Sequence, residues 1–310
     1  MQKPAFDPGL TQQFTGTLRR AINKDGSFNV HRRGTSWKHV HPYLHLISMG
    51  WTSFLAVTFA AFFVANTIFA VIYFSLGPGQ LRGADAPSAF GRFLDDFFFS
   101  AHTLTTVGYG SIAPIGVAAN FVAAFEAMTG LMGFAVITGV LFGRVSRPSA
   151  RIGFSDQMVV APYQDGTSLQ FRIVNLRSNS LMNLEASVLL MTVDGPPGQL
   201  KRNYQPLRLE RDSVFFLALM WTIVHPIDET SPLYGKTAEE LDRLQAEVLI
   251  LIKAFDDTFS QAVHARYSYR YDEMVWGARF QPAFEIDAAG DIHLDVDQVG
   301  SHALVESAAG

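Results

Sequence analysis

Apolar residues occupy two long stretches of the chain, and shorter apolar runs follow them. Residues 46–76 contain no Asp, Glu, Lys or Arg, and Glu126 is the only charged residue within 111–143. Each stretch exceeds the about 20 residues that a membrane-spanning helix needs. We therefore predict an outer transmembrane helix over residues 46–76 and an inner one over residues 117–143.

A shorter aromatic segment lies between these stretches and leads into two closely spaced glycines. We predict a helix over residues 93–105, with Asp95 and Asp96 near the positive end of its dipole. This helix is too short to cross a bilayer, so it must enter the membrane and return as the extended segment "TVGYG" at 106–110. Extended backbone at membrane depth requires protein or water as its hydrogen-bond partner.

The remainder of the chain alternates short apolar runs with turn residues. Runs such as "SLQFRIVNLR" and "AEVLILIKAF" are typical of strands, and Thr237 with Glu240 indicates the capping box of one short helix. Many strands with few helices predict a β-sandwich. The chain thus divides into an N-terminal segment (1–45), a membrane part (46–147) and a strand-rich domain (148–310) with a flexible C-terminus.

The N-terminal segment is polar and rich in turn formers, and we expect residues 1–35 to be flexible. The stretch "WKHVHPYLHL" at 37–46 mixes aromatic, aliphatic and basic residues. This mixture favours a short helix in the headgroup region, with Pro42 as a kink or break. The alternative is that the stretch is the frayed start of the outer helix.

Composition and charge narrow the class of protein. Of the 310 residues, 48% are hydrophobic and 17% are charged, and this charged share is below the roughly one quarter typical of soluble domains. The net charge of −4 is too small to suggest nucleic-acid binding, and the absence of cysteine excludes disulfides and thiolate metal sites. The chain has no recognisable nucleophile–base pair or phosphate loop, so we expect neither an enzyme nor a cofactor.

The positions of basic residues predict the orientation in the membrane. They cluster before the outer helix and after the inner helix, whereas Arg82 and Arg92 in the intervening loop are offset by aspartates. The positive-inside rule therefore places both termini, and the strand-rich domain, in the cytosol. The flanking basic residues are Arg19, Arg20, Lys24, Arg32, Arg33, Lys38, Arg144, Arg147 and Arg151.

The segment 106–110 has a composition suited to binding a dehydrated cation. Gly108 and Gly110 can take positive φ, which lets successive carbonyls point to the same side. Stacked rings of backbone carbonyls, as potassium channels use generally, replace the hydration shell of K⁺. One chain supplies only a quarter of each ring, so we predict a homotetramer in which Thr106, Val107, Gly108 and Tyr109 bind K⁺ as the permeant ion.

With this filter between an aromatic helix and a span rich in small residues, the sequence resembles the prokaryotic inward-rectifier potassium channels, the KirBac family. The resemblance covers nearly all of the chain and includes "MWTIVHPIDETSPLYG" (220–235) and "QAVHARYSYRYDEMVWGARF" (261–280). It implies an outer helix, a pore helix, an inner helix and an immunoglobulin-like cytoplasmic β-sandwich, assembled as a homotetramer. It also implies passive K⁺ transport across the bacterial inner membrane.

Two positions depart from the pattern of the family. Phe134 stands where eukaryotic members carry an acid that binds polyamines, and His102 and Ile112 replace an acid–arginine bridge beside the filter. We hypothesise that His102 and Glu126, both behind the filter, pair in place of that bridge, because an unpaired buried carboxylate costs several kcal/mol at membrane depth. The alternative is a neutral His102 bonded to a backbone carbonyl and a protonated Glu126.

One face of the inner helix is a candidate pore lining. Phe134, Thr138 and Phe142 are spaced i, i+4, i+8 and share that face. If the face lines the pore, four Phe142 rings near the cytosolic end could exclude water and close it. Phe142 also matches the bundle-crossing gate of the family. The alternative is that these aromatic side chains face lipid.

Residues flanking the spans form a candidate lipid site. The resemblance implies that anionic headgroups bind there, whereas positive-inside topology alone would also account for the charges. The candidate residues are Trp37, Lys38, Arg144, Arg147 and Arg151.

Two other interpretations stay open. The first is another two-span potassium channel, gated by pH or by a ligand, although a calcium-binding ring would need a βαβ pattern that is missing here. The second is a membrane-anchored β-sandwich that acts as a sensor. A metal site at His225 with His264 or His293 is disfavoured, because isolated histidines among strands lack ligand spacing.

Overall fold

A computed structural model provides the structure of the chain. It describes residues 9–10, 13–14, 20–30, 34, 41–146, 151–196 and 199–305. The chain forms two compact units, of which one spans residues 33–147 and the other joins residues 1–32 to residues 148–310. Each unit is described separately below.

The helices and strands of the described residues are numbered in chain order. The helices are α1 (Pro42–Ser48), α2 (Trp51–Leu76), α3 (Ala89–Leu104), α4 (Val117–Val145) and α5 (Ala238–Arg243). The strands are β1 (Gln13–Phe14), β2 (Leu81–Arg82), β3 (Ala113–Pro114), β4 (Ile152–Phe154), β5 (Met158–Tyr163), β6 (Gly166–Asn175), β7 (Leu181–Asp194), β8 (Leu200–Pro206), β9 (Ser213–Phe216), β10 (Met220–Ile227), β11 (Glu247–Asp256), β12 (Gln261–Arg270), β13 (Met274–Trp276), β14 (Ala278–Phe280), β15 (Phe284–Ile286), β16 (Ile292–Leu294) and β17 (His302–Leu304).

Two helices of the first unit, α2 and α4, are long and apolar enough to cross a membrane. The outer helix begins later than the sequence pattern suggests, because Met49 and Gly50 are not helical and separate it from α1. Pro42 occupies the first turn of α1 rather than kinking it, since a helix start does not need the proline N–H. The residues before the outer helix therefore form a distinct short helix.

Helix α3 starts four residues earlier than predicted. Ser88 is its N-cap, and the Ser88 hydroxyl accepts a hydrogen bond from the backbone N–H of Gly91 at 3.0 Å. Asp95 and Asp96 consequently lie in the second turn instead of the first. Helix α3 packs against both α2 and α4, and Phe69, Tyr73 and Phe99 are buried in the shared core.

Two mainly antiparallel sheets dominate the second unit. Six strands form one sheet in the order β1-β8-β7-β11-β12, with β9 also paired to β7, and five form the other in the order β10-β6-β5-β13, with β4 paired to β6. Only the pairing of β13 with β5 is parallel among the described strands. The predicted β-sandwich is confirmed.

Alternate residues of the central strands fill the core between the sheets. Phe171 and Ile173 of β6 meet Leu190 of β7 and Val248 and Ile250 of β11 in one apolar cluster, and each is at most 1% exposed. Full burial of one such side chain stabilises a fold by about 1.5–3 kcal/mol. This core explains why the strand pattern was readable from the sequence.

Residues 20–30 pack on the opposite face of the six-stranded sheet, which differs from the flexibility expected for residues 1–35. Ile22 is buried against Met191, Tyr204 and Leu249. The backbone N–H of Ala21 donates to the Glu247 carboxylate at 3.0 Å. These contacts are long-range in sequence, which is why local composition did not indicate them.

Candidate functional site

The backbone that follows α3 turns back toward the end of that helix. The N–H groups of Val107 and Gly108 both donate to the carbonyl of His102, at 2.9 and 3.1 Å. Thr106, which precedes them, has φ 61°, a left-handed conformation that a β-branched residue seldom adopts. The His102 carbonyl, which has no hydrogen-bond partner within the helix, therefore accepts hydrogen bonds from two N–H groups of the filter segment.

The two filter glycines have the positive φ that the sequence predicts. Gly108 has φ 54° and Gly110 has φ 79°, and a Cβ atom added at either position would meet nothing within 4 Å in the single chain. Within the single chain, backbone conformation rather than lack of space therefore accounts for glycine at these positions. Thr106 takes the same region without being glycine, and the sequence offered no sign of this.

His102 and Tyr109 contact each other beside the filter. Their rings are perpendicular, with centroids 4.8 Å apart. Val107 and Tyr109 are 52% and 72% exposed in the single chain. The filter segment consequently presents most of its surface away from its own helices.

Four buried polar side chains, here called the polar cluster, join the three long helices of this unit. They are Asn66 and Tyr73 of α2, Ser100 of α3 and Glu126 of α4, and each is at most 2% exposed. The Tyr73 hydroxyl donates to Glu126 Oε2 at 2.7 Å. Ser100 Oγ lies 2.5 Å from Glu126 Oε1 and 3.1 Å from Asn66 Oδ1.

The hypothesised pairing of His102 with Glu126 is not formed. Both carboxylate oxygens of Glu126 contact the other members of the polar cluster, and no ion pair joins Glu126 to His102 among the described residues. The physical reason is helical phase. Ser100 and His102 are two residues apart, or about 200° around the helix axis, so the face that meets Glu126 carries Ser100.

Helix α4 also approaches the end of α3 closely. A methyl group at Gly130 would come within 1.9 Å of the carbonyl oxygen of Leu104, the last residue of α3. Gly130 lies one turn beyond Glu126, and Leu104 lies one turn beyond Ser100. The two helices are therefore in contact over successive turns up to the start of the filter segment.

The candidate pore-lining face of α4 is uncovered in the single chain. Phe134 and Phe142 are 71% and 73% exposed, and Thr138 is exposed on the same face. Among the described residues, these three side chains belong to no core cluster, so the face is available to other copies or to lipid.

Arg144, predicted to bind lipid, has a different set of partners. Its guanidinium donates to the carbonyls of Ile47 at 3.1 Å and Met49 at 2.7 Å, and also to that of Leu46. It also lies over the rings of Trp51 and Phe54, within 4.8 Å of each ring centroid. Arg144 thus caps the C-terminal end of α1, where a positive charge is stabilising.

Of the other candidate lipid residues, the structure describes only Arg151. Arg151 is exposed. Trp37, Lys38 and Arg147 lie outside the described residues.

His225 is a structural residue of the β-sandwich. Its Nδ1 lies 2.5 Å from the carbonyl of Arg208, and its Nε2 lies 2.8 Å from the hydroxyl of Ser231. Burial lowers the pKa of His225 below its ordinary value. His264 is exposed, and His293 contacts Asp287 at 3.1 Å.

Comparison with known proteins identifies the class and then the family. An ion-channel family matches residues 51–147, and the family described as the inward rectifier potassium channel C-terminal domain matches residues 152–309. The chain is thus a membrane channel subunit with two candidate spans and a cytoplasmic β-rich domain. It belongs to the inward rectifier potassium channel family, whose members are ion channels rather than enzymes and are typically tetramers.

Individual relatives resemble the chain over most of its length. The inward rectifier potassium channel Kirbac3.1 of Paramagnetospirillum magnetotacticum is 34% identical over 281 residues, which cover 89% of this chain and 93% of the relative. The inward rectifier potassium channel 4 of Rattus norvegicus and that of Homo sapiens are each 27% identical over 333 residues, covering 93% of this chain and 73% of the relative.

Sequence reasoning missed most of the polar cluster, although a signal was present. Asn66 and Tyr73 are seven residues apart in a mainly apolar span, so they lie on the same face of a helix. Polar residues within a span mark packed interfaces more often than lipid-facing surface. That spacing indicated a buried face for α2, but it did not identify the residues of other helices that Asn66 and Tyr73 contact.

Proposed function

We propose that four copies of this chain form a passive, potassium-selective pore across the bacterial inner membrane, with both termini in the cytosol. The observation that carries the proposal is the turn after α3. Because Val107 and Gly108 direct their N–H groups to His102, the carbonyls from Thr106 to Tyr109 can face a common axis. Four such strands supply the oxygen rings that replace the hydration shell of K⁺.

The dipoles of the four α3 helices, which are the pore helices of the proposed tetramer, also favour cations in the pore. Helix α3 ends at Leu104, and only its C-cap residue Thr105 separates it from the filter segment. The C-terminal end of a helix carries a partial negative charge. Four such ends around one axis favour a cation at the inner side of the filter. The same ends disfavour anions, so the pore conducts cations only.

The gate that we propose is the ring of Phe142 side chains. In a tetramer, the exposed face of α4 lines the conduction path, with Phe134 and Thr138 further from the cytosolic end than Phe142. Four phenyl groups in a narrow opening exclude water, and a dehydrated constriction stops ion flow. Opening then requires the inner helices to separate at Phe142.

Anionic lipid is the modulator that we propose. Arg151 is exposed, and Trp37, Lys38 and Arg147 are its candidate companions near the membrane surface. Arg144 acts differently, since its guanidinium already caps α1. If this assignment holds, Arg151→Ala reduces the dependence of ion flux on the anionic-lipid content of liposomes, whereas Arg279→Ala, at an exposed arginine on β14, leaves it unchanged.

Ion flux tests the proposed function. Purified protein in K⁺-loaded liposomes should take up Rb⁺ tracer and exclude Na⁺. Tyr109→Asp should loosen the outer filter and admit Na⁺, whereas Tyr234→Asp, at an exposed tyrosine of the cytoplasmic unit, should leave selectivity unchanged. Equal Na⁺ and Rb⁺ uptake by the wild type would overturn the assignment.

A further inference from the structure

The polar cluster contains a hydrogen-bonding problem that depends on the state of Glu126. Ser100 Oγ lies within hydrogen-bond distance of both Glu126 Oε1 and Asn66 Oδ1. A serine hydroxyl has one proton, so it can donate to only one of these two oxygens. An ionised carboxylate and an amide oxygen are both acceptors, and one of the two contacts would then lack a hydrogen.

The orientation of the Asn66 amide does not remove the problem. Asn66 Nδ2 donates to the carbonyl of Phe62 at 2.7 Å. Reversing the amide would place Oδ1 against that carbonyl, so that two acceptors would face each other. The oxygen of Asn66 therefore belongs on the side of Ser100, where it needs a donor.

One additional proton completes every contact. If Glu126 is protonated on Oε1, it donates to Ser100 Oγ, the Ser100 hydroxyl donates to Asn66 Oδ1, and Tyr73 donates to Oε2. Each buried polar group then has a partner, which is the condition under which a buried network is stable.

We propose that Glu126 is a protonated, neutral hydrogen-bond donor that positions the pore helix beneath the selectivity filter. The proposal rests on the potassium-channel function proposed above. Ser100 lies one helical turn before Leu104. It is two residues before His102, whose carbonyl receives the filter N–H groups. A bond from α4 to Ser100 thus fixes the part of α3 that holds Val107 and Gly108.

Among the described residues, no cation forms an ion pair with Glu126, so none takes the place of this proton. Asp96 lies one turn before Ser100 on α3, together with Arg92 one turn further, and both line a small cavity that Tyr73 also borders. His102 lies on the other side of α3, against Tyr109. Within α4 itself, Glu126 is the only charged residue before Arg144.

The first test compares a conservative and a disruptive variant of Glu126. Glu126→Gln keeps one donor for Ser100 and one acceptor for Tyr73, whereas Glu126→Leu keeps neither. In the tetramer reconstituted in liposomes, we expect Glu126→Leu to raise the ratio of Na⁺ uptake to Rb⁺ uptake. The expected increase is about tenfold, because a factor of ten corresponds to the free energy of about one buried hydrogen bond. We expect Glu126→Gln to restore wild-type exclusion of Na⁺, and Ser100→Ala to resemble Glu126→Leu.

The second test detects the proton directly. Infrared spectroscopy of the wild type at neutral pH should show the carbonyl stretch of a protonated carboxylic acid that is absent from Glu126→Gln. Glu185→Gln, which alters an exposed acid of the β-sandwich, should retain that band. Size-exclusion chromatography identifies any variant that does not assemble, and Tyr73→Phe, which removes one donor only, then replaces Glu126→Leu in the flux comparison.

The outcomes separate this inference from the proposed function. A wild type that fails to select K⁺ overturns the channel assignment, whereas the infrared band still reports on Glu126. Absence of the band, or a Glu126→Gln variant as leaky as Glu126→Leu, overturns the protonated donor.

Discussion

Phe134 projects from the exposed face of α4, the face that we propose lines the pore. A phenyl ring offers no charge to a polyvalent cation, so block by spermine from the cytosolic side should be weak. Phe134→Asp adds four carboxylates to a narrow cavity of low dielectric, where charge attraction is much stronger than in water. We expect spermine to block the variant at lower concentration than the wild type, measured as loss of Rb⁺ uptake.

Thr138→Asp is a useful comparison for that variant, because it places the acid one turn away on the same face. Block by spermine that is tight in the wild type and unchanged in Phe134→Asp would show that this face does not line the pore.

Phe142 is the second exposed aromatic residue of that face. Phe142→Ala removes the apolar ring from the proposed constriction, which lets water and ions enter. Basal Rb⁺ uptake should therefore rise several-fold without loss of K⁺ selectivity, in the same liposome measurement.

Phe121→Ala, which truncates an exposed aromatic residue nearer the other end of α4, is the matched control and should leave basal flux unchanged. If the two variants conduct equally, the gate lies elsewhere.

At the scale of elements, the N-terminal residues 20–30 depend on strand β11 for their position. Glu247 at the start of β11 is 2% exposed and accepts hydrogen bonds from the N–H groups of Ala21 and Ile22. Glu247→Ala leaves these two donors without an acceptor in a buried site. We expect a loss of about 1–3 kcal/mol in the free energy that holds this segment on the sheet, measured as faster proteolysis within residues 20–30.

Glu185→Ala provides the control for this element, since Glu185 is exposed on β7 and its ion pair with Lys253 spans 4.0 Å. An exposed pair of this kind contributes little, so proteolysis of residues 20–30 should not change. Equal protection in Glu247→Ala and the wild type would contradict the anchoring role.

At the scale of the whole molecule, His225 makes the stability of the cytoplasmic unit depend on pH. Burial holds the pKa of His225 below its ordinary value of 6.5, so the unfolded chain binds this proton more readily than the folded chain. The contribution is fully present above pH 6.5 and is lost as pH falls below it. We expect the unfolding temperature of the detergent-solubilised protein to fall on acidification, and less steeply in His225→Gln.

His264, an exposed histidine on β12, supplies the comparison. His264→Gln should keep the wild-type pH dependence. The same slope in His225→Gln and the wild type would assign the acid sensitivity to other groups.

Much of this protein follows from its sequence, because the relevant rules are local. The length of an apolar run determines whether a helix can span a bilayer. The runs that predicted α2 and α4 both form helices of sufficient length. The alternation of apolar residues in β6 and β11 follows from the geometry of a strand. Gly108 and Gly110 predict the conformation of the filter backbone for a similar reason, because the tendency to adopt positive φ belongs to the individual glycine residue.

The polar partners were decided by tertiary structure. Glu126 bonds to Tyr73 and Ser100 instead of His102 because the rotational phase of α3 determines which of its residues meets α4. Arg144 caps α1 because the C-terminal ends of α1 and α4 meet in space, although they are far apart in the sequence. Residues 20–30 are ordered because a distant strand offers a buried carboxylate and an apolar face. Such contacts depend on the relative placement of whole elements, and the residue pattern within one element does not specify that placement.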